Sequence, residues 1–233
     1  MTVRICPEPD RFAIPPSDGR QLLPFYRDVF EAVFVLLHPF LRPTGTPLER
    51  FLDGPDVDRE HICRICEAVS WAQVQQLGSF SSLAEIDIAL RTQIHGLREG
   101  FASPTLAGQL QSCLDRSGLV QPVEGCFSEL THDKVLAFIQ EEGHSWVWVG
   151  DEFGTERKLH WIDDLKKPDS DVTVGRRSVF TPDKSLLWTT HWDSHFAFVC
   201  GSGRTIDRMA NDERFEGFRC DRDTEVYWSL QQR

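Results

Sequence analysis

The hydrophobic period of this chain changes once along its length, and that change limits the folds open to it. Up to Gly118, apolar residues recur mostly at three- and four-residue steps; beyond Thr131, aromatic and β-branched residues take over in short runs separated by turns. Helices followed by strands joined in hairpins give an α+β chain, with a helical N-terminal half packed on a mostly antiparallel C-terminal β-sheet. The boundary falls near Pro122 to Thr131. It divides a mainly helical region, 1–128, from a sheet region with one or two helices, 129–233. With no internal repeat and no long linker, a single fused unit fits as well as two domains.

Helix punctuation is explicit in the first half. Asp58 can cap a helix whose apolar positions Ile62, Ile65, Val69 and Ala72 share a face and run out near Gly78. Ser82-Leu83-Ala84-Glu85 reads as a capping box before the stripe Leu83, Ile86, Leu90, Ile94 and Leu97, with Gly100 closing it. Ser103-Pro104 opens a third helix, with proline where its missing N–H costs nothing, and Leu106, Leu110, Cys113 and Leu114 carry it to Gly118. The earlier run Val29 to Phe40 suits a helix and a buried strand equally.

A further helix starts at Thr131 and ends at Gly143. Trp146 to Val149 and Lys158 to Ile162 then flank a turn at Gly154, and Val172 to Phe180 and Leu186 to Cys200 flank Thr181-Pro182-Asp183-Lys184; both are hairpin signals. A short helix over Thr205 to Ala210 and two strands, Phe215 to Cys220 and Glu225 to Leu230, complete the order.

Charge narrows the partners. Among 233 residues, 25 are Lys or Arg and 36 are Asp or Glu, which gives −11 with neutral histidines. The densest basic spots are Lys166-Lys167 and Arg176-Arg177, too sparse to offset that excess, so nucleic acid is not an expected partner. A basic protein partner is the one this surface would steer. The first fifteen residues hold four charged side chains, Arg4, Glu8, Asp10 and Arg11, and no apolar core for a signal peptide, and Val29 to Leu37 is far short of a membrane span. The expectation is a soluble cytoplasmic protein with no membrane partner, whose seven cysteines are reduced and mostly buried.

The most unusual segment is Leu186 to Cys200. Read as one strand, it places Trp188, Thr190, Trp192, Ser194, Phe196 and Phe198 on a core face, and His191, Asp193 and His195 in a row on the other. Two imidazoles and a carboxylate are the ligand types for a divalent metal ion, and equally the parts of an acid–base site. On a straight strand, however, neighbours lie about 6.5 to 7 Å apart and His191 lies roughly 13 Å from His195, so one ion takes a pair plus an outside ligand. The alternative is a polar, solvated sheet face with a histidine–carboxylate hydrogen bond. Ser194 would point away from both neighbours and lacks the glycines of a nucleophile elbow, which argues against a triad.

Other motifs read as structure. Cys63 and Cys66 form a CxxC after His61, but no second cysteine pair completes a zinc site and Cys66 lies on an apolar stripe. Gly201-Ser202-Gly203-Arg204-Thr205 could meet an anion at a helix start, yet matches no phosphate-loop pattern and suits a turn. His132-Asp133 in a first helical turn needs no function. Asp151-Glu152 and Asp163-Asp164 fall in turn-like, solvated segments, and Trp146 with Trp148 reads as core.

The region from Thr131 onward resembles an uncharacterised bacterial domain-of-unknown-function family. The shared order is Thr131-His132-Asp133-Lys134, Thr181-Pro182-Asp183-Lys184, His191-Trp192-Asp193-Ser194, Glu216-Gly217-Phe218 and Thr224-Glu225-Val226-Tyr227-Trp228, with a fainter likeness at Leu37-His38-Pro39-Phe40. That family carries no assigned activity, so the resemblance implies a recurrent fold and no catalytic residue. The layout is also similar to that of small acidic immunity and inhibitor proteins. The expected function is therefore non-catalytic binding or regulation, against the alternative of a metal-dependent or acid–base enzyme centred on His191, Asp193 and His195.

Overall fold

The computed structural model describes residues 7–45, 51, 58–175 and 177–232. Its frame is a seven-stranded antiparallel sheet in the order β5-β4-β6-β7-β8-β1-β9. The strands are β1 (Ala32–Leu37), β4 (Trp146–Gly150), β5 (Arg157–Trp161), β6 (Ser178–Phe180), β7 (Leu187–Thr190), β8 (Phe196–Gly201) and β9 (Gly217–Arg219). A separate pair joins β2 (Phe40–Pro43) to β3 (Cys66–Val69). The helices are α1 (Leu22–Phe25), α2 (Arg59–Ile65), α3 (Trp71–Gly78), α4 (Leu83–Gln93), α5 (Pro104–Ser117), α6 (Glu129–Glu141), α7 (Ile162–Leu165) and α8 (Gly203–Ala210). The class is α+β, with most helices in the first half of the chain. No helix among the described residues is long and apolar enough to cross a membrane.

Both faces of the sheet centre are covered. Val33, Val35 and Leu37 of β1 and Phe196, Phe198 and Cys200 of β8 join Trp71, Val74, Leu90, Leu110 and Leu114 from α3, α4 and α5. Ala32, Phe34 and Leu36 of β1 and Ala197 and Val199 of β8 join Val135, Leu136, Ile139, Ile206 and Met209 from α6 and α8. A strand buried on both faces has no polar side to alternate with, which is why Ala32–Leu37 reads as a continuous apolar run. That resolves the ambiguous segment as a strand, paired to β8 and β9.

Several expected boundaries move. Asp58 caps its helix by accepting from the His61 N–H at 2.8 Å, but the helix expected to reach Gly78 is interrupted by β3. A new helix starts at Ser70, whose hydroxyl and Gln73 form a reciprocal capping box. The stripe expected to reach Leu97 stops at Gln93; Glu85 reaches back to the Ser81 N–H while the Ser82 hydroxyl makes no cap. The helix expected from Thr131 begins two residues earlier, after Ser128. Both expected hairpins form.

Two expectations fail outright. Leu186 to Cys200 is not one strand: β7 pairs antiparallel with β8 from Leu187↔Cys200 to Thr190↔Ala197, and residues between them make the turn, closed by Ser194 N–H donating to the His191 carbonyl at 3.1 Å. Trp192, expected in the core, is 54% exposed at the tip of that turn. The strand expected over Glu225 to Leu230 is instead a turn leading into a 3-10 helix, Trp228–Gln232.

The β1–β9 pairing depends on one missing side chain. A Cβ at Gly217 would stand 1.9 Å from the Val35 carbonyl oxygen and 2.7 Å from the Phe34 ring. Gly217→Ala is expected to cost about 2–4 kcal/mol, because the backbone at the strand pair has to give way; urea unfolding followed by tryptophan fluorescence measures it.

Candidate functional site

The β7–β8 turn brings two of the three candidate residues together in the interior. His191 Nδ1 lies 2.5 Å from Asp193 Oδ1, and both residues are 2% exposed, not solvated as a sheet face would be. On the other side of the ring, His191 Nε2 lies 2.8 Å from Oδ1 of Asp18, a residue from the segment before α1. The imidazole is thus held between two carboxylates, with Asp18 half exposed.

Asp193 is held by two more side chains, Arg91 and Tyr227. The guanidinium of Arg91, fully buried on α4, donates through Nη1 to Asp193 Oδ1 at 3.2 Å and to its carbonyl at 3.3 Å. Nη2 donates to Ser194 Oγ at 3.0 Å and to the Val226 carbonyl at 3.3 Å, and Nε donates to Asp87 Oδ2 at 3.0 Å. All five of its N–H groups therefore meet an acceptor. The Tyr227 hydroxyl donates to Asp193 Oδ2 at 3.1 Å, and its ring lies 4.5 Å below the guanidinium. Burial alone would raise the Asp193 carboxyl; the His191 hydrogen bond and the charges of Arg91 and His191 outweigh it and hold the carboxyl below its ordinary value. Burial, then the nearby carboxylates of Asp193 and Asp18, push the Tyr227 hydroxyl up, so it remains a donor.

His195 does not join this group. Neither of its ring nitrogens has a hydrogen-bond partner among the described residues, and the same holds for His38, also fully buried. Burial lowers His38 to about 3, helped by His195; burial also lowers His195 to about 3, helped by Arg91 and opposed by Asp193. These two are neutral core imidazoles. Ser194, rejected as a nucleophile because a strand would point it away, lies in the turn instead, but its oxygen is taken up by Arg91 and it is fully buried.

Two recesses meet at this turn. One of about 550 Å³ is lined by Asp18, Asp193, Glu225, Trp192, Tyr227 and Phe101, with His95 and Arg98 from the loop after α4. A smaller one of about 340 Å³ is lined by Asp18, His191, Trp192, Phe153 and Glu152. Gly96 lies close enough that a Cβ there would touch Asp193 Oδ2 at 3.3 Å. Gly125, at φ +64°, donates to the Ser194 carbonyl at 2.9 Å, and a Cβ there would come 2.2 Å from the Trp192 carbonyl. The turn is therefore clasped by backbone on two sides.

Asp18, His191 and Asp193 each offer a ligand atom within 4.8 Å of the others, the grouping a divalent cation would use. One imidazole gives an ion one nitrogen, however, and Nδ1 belongs to Asp193. That leaves Nε2 and Asp18 as direct ligands and Asp193 as the orienting group behind them, short of the three protein ligands of a catalytic zinc site.

The remaining motifs fall elsewhere. Cys63 is exposed and Cys66 half-buried, so the CxxC is not core as expected, and desolvation raises both thiols, Cys66 to about 11, which disfavours the reactive thiolate. Gly203 N–H at the start of α8 donates to Glu31 Oε2 at 2.8 Å, so the protein's own carboxylate takes that position; the segment expected as a turn is the N-cap of α8, with Ser202 Oγ accepting from the Thr205 N–H at 3.1 Å. Trp146 is 42% exposed against Trp161 and is not core.

A family model described as a protein of unknown function (DUF2711) matches residues 18–230, and the chain belongs to that family. The match starts at Asp18 and reaches well beyond the region from Thr131 in which the resemblance is seen. No curated protein and no solved structure matches the chain.

Two outcomes follow. Arg91→Leu strands two buried carboxylates and is expected to cost about 3–5 kcal/mol in urea unfolding, with part of the loss recovered when Asp87→Asn is added. In acid, the depressed Asp193 carboxyl loses its contribution as pH falls through its folded value. His38 and His195 stay neutral in the fold down to about 3 while the unfolded chain takes up protons below about 6.5. The unfolding free energy should therefore fall steadily as pH is lowered from about 6.5, and His195→Leu should flatten the upper part of that slope, where Asp193 is not yet titrating.

Proposed function

For this member of the family, we propose non-catalytic binding of a small molecule that carries a positively charged group, at the recess beside the β7–β8 turn. The observation that carries the reading is the convergence of three carboxylates, Asp18, Asp193 and Glu225, with the rings of Trp192, Tyr227 and Phe101 on one cleft. Trp192 and Phe101 are 54% and 43% exposed, an unusual placement for large apolar side chains unless something covers them. A cation over aromatic faces, with carboxylates at its edge, is a recognised use of such a set. Arg98 and His95 line the same recess and suit an acidic group on the same ligand. Behind the cleft the Arg91 donors and both Asp193 carboxylate oxygens are taken up by the protein's own groups, which suits a scaffold that holds a ligand.

One observation favours an acid–base enzyme as a second reading: Asp18, which faces His191 Nε2, is half exposed. A substrate that displaced it would meet an imidazole already oriented by Asp193, the arrangement of a general base.

The test is titration calorimetry with choline, agmatine and glycine betaine, with citrate as the anionic control. Binding of a cation, weakened about tenfold by Trp192→Ala, is the expected result. If no cation binds, or Trp192→Ala and Asp18→Asn leave binding unchanged, the reading fails. Proton NMR of the bound probe over hours separates the two readings: an unchanged spectrum supports binding alone, and new resonances that vanish in His191→Gln support the enzyme.

A further inference from the structure

A second cleft, of about 620 Å³, lies away from the β7–β8 turn, between the starts of α2 and α6 and the segment 168–175. At its wall His132 Nε2 lies 2.9 Å from Thr173 Oγ1, and His132 Nδ1 lies 3.0 Å from Asp133 Oδ1. Asp133 is in turn paired with Arg59 Nη2. The ring is 2% exposed and packs edge-on to Trp188, which itself stacks on Phe127 at 3.9 Å. His132-Asp133, expected to need no function, thus stands in a hydroxyl–imidazole–carboxylate row with its ring fixed by packing.

We propose that Thr173, His132 and Asp133 form an acyl-transfer site, in which Thr173 Oγ1 attacks the carbonyl of an ester or thioester whose remaining part is cationic. Nucleophile, base and orienting group follow one another at hydrogen-bond distance, the arrangement that activates a hydroxyl. With Nδ1–H donated to Asp133, Nε2 is the acceptor for the Thr173 proton. Burial, as the largest influence, lowers His132 below its ordinary value, which keeps the ring in the neutral form a base requires. The substrate class comes from the rim: Asp58, Glu60, Asp169 and Asp171 line the cleft, while Arg59 is engaged with Asp133 and with the Leu165 and Lys167 carbonyls.

The step balances without an added reductant or oxidant. The Oγ1–H proton passes to Nε2 as the Oγ1–carbon bond forms; the bond from carbonyl carbon to the leaving oxygen or sulfur breaks, and the leaving alcohol or thiol takes the proton from Nε2. Water then attacks the threonyl ester, gives a proton to Nε2, and Oγ1 recovers it as the acid leaves. Thr173 and His132 are the catalytic residues. Asp133 is a positioning residue acting through His132, and Asp133 and Arg59 are the charges that face the ring.

The test incubates the full chain with acetylthiocholine, or with its neutral isostere S-(3,3-dimethylbutyl) thioacetate, quenches in acid and maps acetyl groups by peptide mass spectrometry. Acetyl on Thr173 is expected, retained in Thr173→Ser, lost in Thr173→Ala and slowed about a hundredfold in His132→Gln. Asp133→Asn should lower the plateau rate and move the acid limb of the pH–rate profile to lower pH, since the imidazolium loses its carboxylate; a merely structural tie would not move that limb. Thermal melting of each variant establishes that it is folded, and Thr173→Ser, the smallest change, keeps the comparison available if the others are not. Acetyl found on Cys126 or nowhere in the folded wild type, or an unchanged rate in His132→Gln, overturns the site. A choline ester that reacts no faster than the neutral one overturns the substrate class.

Discussion

A guanidinium with no exposed surface sits at the junction of α4, the β7–β8 turn and the C-terminal segment, and the local architecture is arranged to keep it there. Desolvating an arginine is costly unless every donor finds an acceptor and the charge is balanced. Arg91 meets Asp87 one helical turn earlier, Asp193 and Ser194 across the turn, and the Val226 carbonyl of the segment leading to the final 3-10 helix. Ser229, within that 3-10 helix, also donates to Asp87, at 2.6 Å. Three stretches far apart in sequence are thereby tied to one charge. The chain turns at His191 to Ser194 where it could have run on as a strand, because Asp193 and two carbonyls have to converge on a point inside the protein.

The same constraint decides what the polar residues of the turn can do. Asp193 faces inward to Arg91 and sideways to His191 and Tyr227, so its carboxylate serves first as a counter-ion. His191 inherits its orientation from Asp193 and reaches the edge of the interior, where Asp18 closes over it. The groups that do face the clefts are those the buried network leaves over: the rings of Trp192 and Tyr227, the half-exposed Asp18, and the loop after α4.

Much of the fold was legible because local signals and burial agree. Ser103-Pro104 to Gly118, the two hairpins, and the cap at Asp58 all carry punctuation that depends on neighbouring residues alone. The failures share a cause, which is tertiary structure overriding a local period. Ile62 to Ala72 keeps a helical stripe, yet β2 recruits Cys66–Val69 as a partner strand; the Ser70–Gln73 capping box was the sign of the restart. Leu186 to Cys200 keeps a strand composition on both sides of a turn whose reason lies on another helix. The Asp87–Arg91 spacing was visible as an i,i+4 ion pair, but nothing in the sequence marks that pair as buried rather than solvated.

The candidate site was legible by residue type and not by partner. His191 and Asp193 are adjacent in space because the strand breaks; the third candidate, His195, lies on the far side of the turn beside His38, and the outside partner that the sequence left unnamed is Asp18. Asp18 and Tyr227 come from opposite ends of the chain, and the isolated bridge Gln21↔Glu225 brings those ends together. A single antiparallel bridge, with Leu22 N–H donating to the Thr224 carbonyl at 2.9 Å and Val226 N–H donating to the Arg20 carbonyl at 3.2 Å, thus sets the distance between two walls of one recess. Composition supplies the chemistry of such a site; chain closure supplies its geometry.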